Sequence, residues 1–197
     1  MVAADGGDDC PVNIVLIGLR ACGKSSVSRH LSRLSKRPVL STDLLISYEE
    51  GGRSIADLVA DCQGDWRPFR DREYAVACKV AALDGLIIDT GGGMVVDWDD
   101  QGEEIFSERK VSVLKRNGFV VWLQGDLHRL AQRVRGDVTR PALSDRLTIE
   151  AVMERRLPFY RQAADWVVDV ENKSRKQVAR EIMQQVEALP YMQGIRP

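Results

Sequence analysis

Residues 18–25 read GLRACGKS, and this stretch decides the fold because it fits the GxxxxGK(S/T) pattern of a phosphate-binding loop. An apolar run, residues 12–17, precedes it, and residues 27–34 follow with apolar side chains spaced to bury one helix face. The glycines let the backbone approach phosphate oxygens, Lys24 supplies positive charge, and Ser25 supplies a hydroxyl for Mg²⁺. The order of strand, loop and helix therefore predicts a nucleotide site.

Length and composition restrict the class of protein. The chain has 197 residues, which suffices for a single domain with its own core. Its 28 basic and 29 acidic side chains give a formal net charge of −1, so nothing in the charge favours nucleic acid or an anionic membrane as a partner. There is no apolar run of about 20 residues and no signal-peptide pattern at the N-terminus, which predicts a cytoplasmic protein. The four cysteines lack metal-binding spacing, which predicts free thiols.

Five short apolar runs alternate with helical patterns along the chain. This alternation is typical of βαβ units, so we expect an α/β fold in which a parallel sheet is covered by helices on both faces. The strands are expected at residues 12–17, 38–42, 85–89, 118–123 and 166–170. Residues 1–10 are predicted to be a disordered lead, residues 11–190 one domain, and residues 191–197 a tail. The charged residues 97–117 are interpreted as a solvated helix.

Polar residues follow the predicted strands at the sheet edge where ligands bind in α/β proteins. Asp43 could orient an acceptor hydroxyl toward a γ-phosphate, or it could cap the helix that follows. Asp89 closes an apolar strand, a pattern found in magnesium-binding phosphate-loop enzymes. Residues 91–93 are three glycines that could present backbone N–H groups to a small ligand or form a tight turn with positive φ.

Four arginines are candidates for binding an anionic acceptor or the transferred phosphate. They are Arg70, Arg133, Arg140 and Arg156. The guanidinium group suits two-point binding of a carboxylate or phosphate, although most arginines are solvated surface residues.

Together these motifs resemble the shikimate kinase family over about residues 12–186. The resemblance rests on four stretches of the sequence. GRSIAD at 52–57 is similar to the family's GxSIxE(I/L), and FRDRE at 69–73 is similar to its FRxxE. TGGG at 90–93 is similar to its triple glycine, and RLPFY at 156–160 is similar to its RxPLY. Arg133 also precedes Arg140 by seven residues, as in the family's lid, here about residues 132–147. The resemblance implies a three-layer phosphate-loop kinase fold with strand order 2-3-1-4-5. It also implies a monomer that uses ATP and Mg²⁺ to phosphorylate the 3-hydroxyl of shikimate.

The resemblance also implies roles for individual residues. Lys24, Asp43 and Arg133 would be catalytic. The nucleotide would contact Gly18, Ala21, Cys22, Gly23, Lys24, Ser25, Ser26, Arg129 and Arg133, where Arg129 is assigned from position alone. The acceptor would contact Asp43, Arg70, Glu73, Gly91, Gly92, Gly93 and Arg156, with Glu73 steadying the two arginines.

The chain departs from the family pattern at three places. Ser41 stands where the family has the first acid of Asp-x-Asp, a residue that helps to hold the metal's water. We hypothesise that Asp89 takes over the role of this missing acid. Ser25 and Asp89 would then form the metal site. Ala21 stands where the family usually has glycine, and residues 141–143 read PAL instead of PLL.

The sequence is also compatible with two other functions. One is a non-catalytic relative that binds a nucleotide or ligand, against which the retained Lys24, Asp43 and Arg133 argue. The other is a sister kinase acting on a substrate such as gluconate. Arg70 and Arg156 favour a carboxylate without separating the two acceptors, whereas the FRxxE-like and RxPLY-like motifs favour shikimate.

Overall fold

The computed structural model describes residues 12–135 and 147–189, and it has an α/β fold. Within these residues the strands are β1 (Asn13–Ile17), β2 (Val39–Ser41), β3 (Ile87–Asp89), β4 (Val96–Trp98), β5 (Glu104–Phe106), β6 (Gly118–Gln124) and β7 (Trp166–Asp169). The helices are α1 (Lys24–Ser35), α2 (Thr42–Glu49), α3 (Ile55–Ala60), α4 (Arg67–Ala81), α5 (Glu108–Lys115), α6 (Leu127–Arg135), α7 (Ile149–Ala163) and α8 (Arg175–Glu187).

The main sheet is parallel, with the order β2-β3-β1-β6-β7. Strands β4 and β5 pair only with each other, so the five strands of this sheet, counted alone, have the order 2-3-1-4-5. Helix α1 packs against α8, and α4 packs against α5. Right-handed crossovers place these two helix pairs on opposite faces of the sheet, which gives three layers.

The central strand β1 is buried along its whole length. Ile14, Val15 and Leu16 have no exposed surface, as expected for a strand that is covered on both faces. Because β1, β2 and β3 run in the same direction, their carboxyl ends lie at one edge of the sheet. The phosphate loop, Asp43 and the three glycines all follow these ends.

The interpretation of residues 97–117 as a solvated helix is wrong. Strands β4 and β5 form an antiparallel hairpin, and the shorter helix α5 follows it. The turn is held by Asp99, whose carboxylate accepts hydrogen bonds of 2.9 Å from the N–H groups of Gln101 and Glu103. Strands of three residues are too short to show a clear alternation of apolar and polar side chains.

Helix caps distinguish between two interpretations of Asp43. Helix α3 is capped by Ser54, which accepts a hydrogen bond of 3.1 Å from the Asp57 N–H. Helix α2, however, is capped by Ser41, which accepts a hydrogen bond from the Leu44 N–H. Asp43 lies in the first turn of α2, so the idea that it caps this helix is wrong.

Some sequence predictions concern residues outside the described ranges. These are the lead at 1–10, the tail at 191–197, Cys10, residues 141–143 and most of the lid at 132–147. Cys22, Cys62 and Cys78 are described, and all three are free thiols. Among the described helices, none has the length and apolar character needed to cross a membrane.

Candidate active site

The phosphate loop connects β1 to the N-terminus of α1. Its Lys24 is buried, and the ammonium group donates hydrogen bonds to the carbonyls of Gly18 (2.8 Å) and Leu19 (3.1 Å). The Cys22 side chain is also buried, with its Sγ 3.9 Å from Lys24 Nζ, so only its backbone is available to a nucleotide. Lys24 is therefore held inside the loop, where the free N–H groups of a helix N-terminus also favour phosphate.

The departure at Ala21 has a structural consequence. Its φ is 63°, in the left-handed region that favours glycine. Ala21 therefore has a backbone conformation that glycine would adopt without strain. A non-glycine residue in this region typically costs about 1 kcal/mol.

Two cavities meet at Asp43. The first, of about 540 Å³, is called here the phosphate cavity, and its lining includes Ala21, Gly23, Lys24, Ser25, Ser26, Ser41, Asp43, Leu44 and Asp89. The second, of about 260 Å³, is called the acceptor cavity, and its lining includes Arg20, Asp43, Leu44, Trp66, Arg70, Glu73, Gly91, Gly92, Gly93 and Arg156. The Asp43 carboxylate is therefore placed between a site suited to phosphates and a site that contains two arginines.

Asp89 faces the phosphate cavity beside Ser41. The two residues are direct partners in the parallel register of β2 and β3, so their side chains leave the same face of the sheet. Asp89 is only 6% exposed, and its carboxylate makes no hydrogen bond or ion pair with any described residue. A buried carboxylate without a partner is costly unless a cation or water compensates it. The Ser25 hydroxyl lines the same cavity, so the two residues would offer Mg²⁺ an oxygen ligand and a carboxylate for its bound water.

Arg70 and Arg156 are both almost completely buried in the wall of the acceptor cavity. Arg70 is 2% exposed, donates from Nη1 to Glu73 Oε2 at 2.9 Å, and lies 5.0 Å from the centre of the Trp66 ring. Its Nε has no hydrogen-bond partner among the described residues. Arg156 is 3% exposed and forms two hydrogen bonds with the Glu104 carboxylate, one of them 2.9 Å from Nε to Oε2.

Glu73 is held by two cations. Besides the bond from Arg70, the Lys110 ammonium lies 2.8 Å from Glu73 Oε2 and also donates to the carbonyls of Gly93 and Val96. Burial alone would raise the pKa of Glu73, but Arg70 and Lys110 outweigh it and hold the pKa below its usual value. Glu73 is therefore a carboxylate that fixes Arg70, one of the two arginines that the resemblance implies, whereas Arg156 is bound by Glu104 instead.

The three glycines lie close to these side chains. None of them has positive φ, so the idea of a turn that requires it is wrong. Close approach explains them better, because a Cβ on Gly91 would collide with the Asp43 carboxylate and one on Gly93 with the Arg70 guanidinium. The Tyr160 hydroxyl donates to the Gly92 carbonyl and fixes the loop.

Arg129 and Arg133 lie on α6, away from the linings of both cavities. Arg133 is exposed in the last turn, and the segment that follows it is outside the described residues. Arg129 forms an ion pair of 2.5 Å with Glu171. Their contacts with a nucleotide stay predictions.

Sequence reasoning missed Glu104, Lys110 and Trp66. Glu104 and Lys110 belong to the charged segment interpreted as solvated, yet the Lys110 side chain is fully buried. The only signal in the sequence was that this segment is longer and more charged than a simple connection requires.

Comparison with known proteins agrees with this geometry. The family model described as shikimate kinase matches residues 20–187. A shikimate kinase from Leptospira biflexa is 41% identical over 172 residues, covering 87% of this chain and 94% of that protein. One from Leptospira borgpetersenii is 37% identical over 175 residues, covering 89% and 98%. The structure of shikimate kinase from Acinetobacter baumannii in complex with shikimate has a TM-score of 0.75 at 26% identity and covers 90% of this chain and 94% of that chain. The chain belongs to the shikimate kinase family.

Proposed function

We propose that this protein transfers the γ-phosphoryl group of ATP to the 3-hydroxyl of shikimate, giving shikimate 3-phosphate and ADP. The observation that carries the proposal is the position of Asp43, which lines both the phosphate cavity and the acceptor cavity. A phosphoryl transfer requires the two substrates to meet in line, and the protein contributes mainly positioning and charge.

The acceptor cavity suits a small carboxylic acid with several hydroxyl groups. Arg70 and Arg156 supply the donors for the carboxylate, which is the strongest type of hydrogen bond available to it. Asp43 accepts the proton, or the hydrogen bond, of the acceptor hydroxyl and turns its oxygen toward the phosphate cavity. The shikimate bound to the Acinetobacter baumannii relative supports the same acceptor here.

The phosphate cavity suits the triphosphate of ATP. Lys24 and the loop N–H groups would bind the β- and γ-phosphates, and Ser25 and Asp89 would hold the metal. When bound, Mg²⁺ neutralises charge on these phosphates. Arg133, in the last turn of α6, would add positive charge to the transferred phosphoryl group.

A coupled assay of ADP release tests the proposal, with shikimate, gluconate and no acceptor as parallel arms. We expect turnover with shikimate and little ADP release in the other two. Equal rates with gluconate would favour the sister kinase, and no acceptor-dependent turnover would favour a binding-only relative.

The variant Asp43→Asn keeps the shape of the side chain and removes the proton acceptor. It should lower kcat by about 10²-fold or more with a smaller change in KM, because general base catalysis is typically worth this amount. A kcat close to wild type would contradict the role of Asp43.

A further inference from the structure

The hairpin of β4 and β5 contacts Arg156 directly and is linked to Arg70 through Trp66. Glu104, on β5, binds Arg156 directly. Trp98, on β4, stacks on Trp66 with ring centres 6.2 Å apart, and Trp66 in turn lies against Arg70. The hairpin is therefore part of the wall that positions the acceptor's carboxylate.

The charges in this wall are buried and almost balanced. Three cations, Arg70, Arg156 and Lys110, and two anions, Glu73 and Glu104, form the group. Arg20 and Asp43 in the same lining carry one charge of each sign, so one positive charge is left over. Asp97 is paired with the neighbouring Arg109 through two hydrogen bonds and lies farther from Lys110, at 3.7 Å. Because buried charge needs a partner, the remaining positive charge matches an acceptor with a single carboxylate.

We propose that Glu104 is a specificity-determining residue that sets this balance, an inference that rests on the proposed function. Glu104 takes the Nε and Nη2 donors of Arg156 and leaves Nη1 for the acceptor. It thereby neutralises one of the two cavity arginines and fixes its orientation. The cavity then accepts one carboxylate and discriminates against acceptors of other charge.

The hairpin contains a matched control for Glu104. Its neighbour Glu103 forms an ion pair of 2.6 Å with Arg155, the neighbour of Arg156 on α7. In this second pair Glu103 is exposed and Arg155 is partly exposed, and neither residue lines the acceptor cavity. A substitution at Glu103 thus removes the same charge from the same hairpin without changing the cavity.

The experiment compares Glu104→Gln with Glu103→Gln and wild type. Binding of shikimate, and of the analogue with a carboxamide in place of its carboxylate, is followed by tryptophan fluorescence, since Trp66 lines the cavity. The readout is the ratio of the two dissociation constants, because a loss of packing would weaken both ligands alike and leave the ratio unchanged.

In Glu104→Gln the preference for the carboxylate over the carboxamide should rise about tenfold, because a negative charge a few ångströms from the bound carboxylate is removed. Glu103→Gln should keep the wild-type ratio within about twofold, as expected for an exposed pair. Glu104→Asp retains the charge and should also keep the ratio. Thermal unfolding of each variant identifies any that fails to fold.

Two outcomes separate the inference from the function on which it rests. If wild type binds shikimate and Glu104→Gln leaves the ratio unchanged or lowers it, the role of Glu104 is refuted while the function stands. If wild type does not bind shikimate, the proposed function fails and the inference fails with it.

Discussion

Replacing Asp89 by Asn should weaken metal binding and, at the same time, stabilise the protein in the absence of metal. The residue is 6% exposed and its carboxylate has no partner among the described residues, so in metal-free protein only water in the phosphate cavity offsets its charge. Removing that charge should raise the free energy of unfolding by about 1 kcal/mol. A residue whose role is only structural would not show these opposite effects.

The magnitude for metal binding follows from how a carboxylate acts through a metal-bound water. Removing such a partner typically costs 10- to 100-fold in metal affinity. In the presence of ADP, the dissociation constant of Mn²⁺, used as a spectroscopic substitute for Mg²⁺, should therefore rise by about 10-fold or more. Electron paramagnetic resonance measures free Mn²⁺ directly and does not depend on turnover.

The register of the sheet supplies a rescue experiment. Ser41 is the direct partner of Asp89 on the adjacent strand, and neighbouring strands lie about 4.8 Å apart. Adding Ser41→Asp to the Asp89→Asn variant moves the carboxylate across by one strand and should restore most of the Mn²⁺ affinity. If Asp89→Asn alone binds Mn²⁺ and depends on Mg²⁺ as wild type does, the metal role of Asp89 is refuted.

Three further predictions concern stability and acceptor binding. Ala21→Gly should raise the free energy of unfolding by about 1 kcal/mol, because Ala21 has positive φ. The control Ala75→Gly, at an exposed position within α4, should lower it by about 1 kcal/mol. Thermal or urea unfolding measures both changes. Equal effects of the two changes would contradict the strain at Ala21. Glu73→Gln should destabilise by about 3–5 kcal/mol at pH 7, since it leaves a buried cation unpaired. The folded pKa of Glu73 lies below its unfolded value, so its contribution is present above about pH 4.3 and is lost as the pH falls through the folded pKa. The difference in Tm between Glu73→Gln and wild type should therefore become smaller as the pH is lowered. A difference in Tm that stays constant would argue against an ionised Glu73. Gly93→Ala should displace Arg70 and raise the KM for shikimate at least tenfold, while the KM for ATP stays nearly unchanged. A parallel rise in both KM values would indicate general disorder of the site and contradict this prediction.

The parallel sheet could be predicted from the sequence because buried parallel strands are continuous apolar runs. The run at residues 13–17 is an example, and its strand lies at the centre of the sheet. The hairpin could not be predicted, because its strands have three residues each and their burial depends on contacts with distant helices. The ion pair of Glu104 with Arg156, for instance, joins residues that are 52 positions apart.

Lys110 shows the same limit for a single side chain. A lysine in a charged, helical segment is normally solvated, and the sequence contains nothing that distinguishes this one. It is buried because Glu73 and the carbonyls of the glycine loop lie where its ammonium group ends. The partners of a buried charge are set by tertiary structure, so sequence reasoning assigned Arg70 and Glu73 through the family motif but did not identify the lysine.

The proposed replacement of the family's acid at Ser41 by Asp89 has a physical basis. A carboxylate that acts on a metal through a water can move to the adjacent strand, because the water molecule bridges the difference in position. The arginines that bind a carboxylate have no such freedom, since paired hydrogen bonds from a planar guanidinium fix both distance and angle. We therefore expect exchange of the acid between the ends of β2 and β3 to be tolerated, and Arg70 and Arg156 to resist even replacement by lysine. Two fold-changes relative to wild type can then be compared. The rise in the KM for shikimate caused by Arg70→Lys should be larger than the rise in the Mn²⁺ dissociation constant caused by moving the acid from Asp89 to Ser41. The opposite order would show that charge alone, without geometry, governs the acceptor cavity.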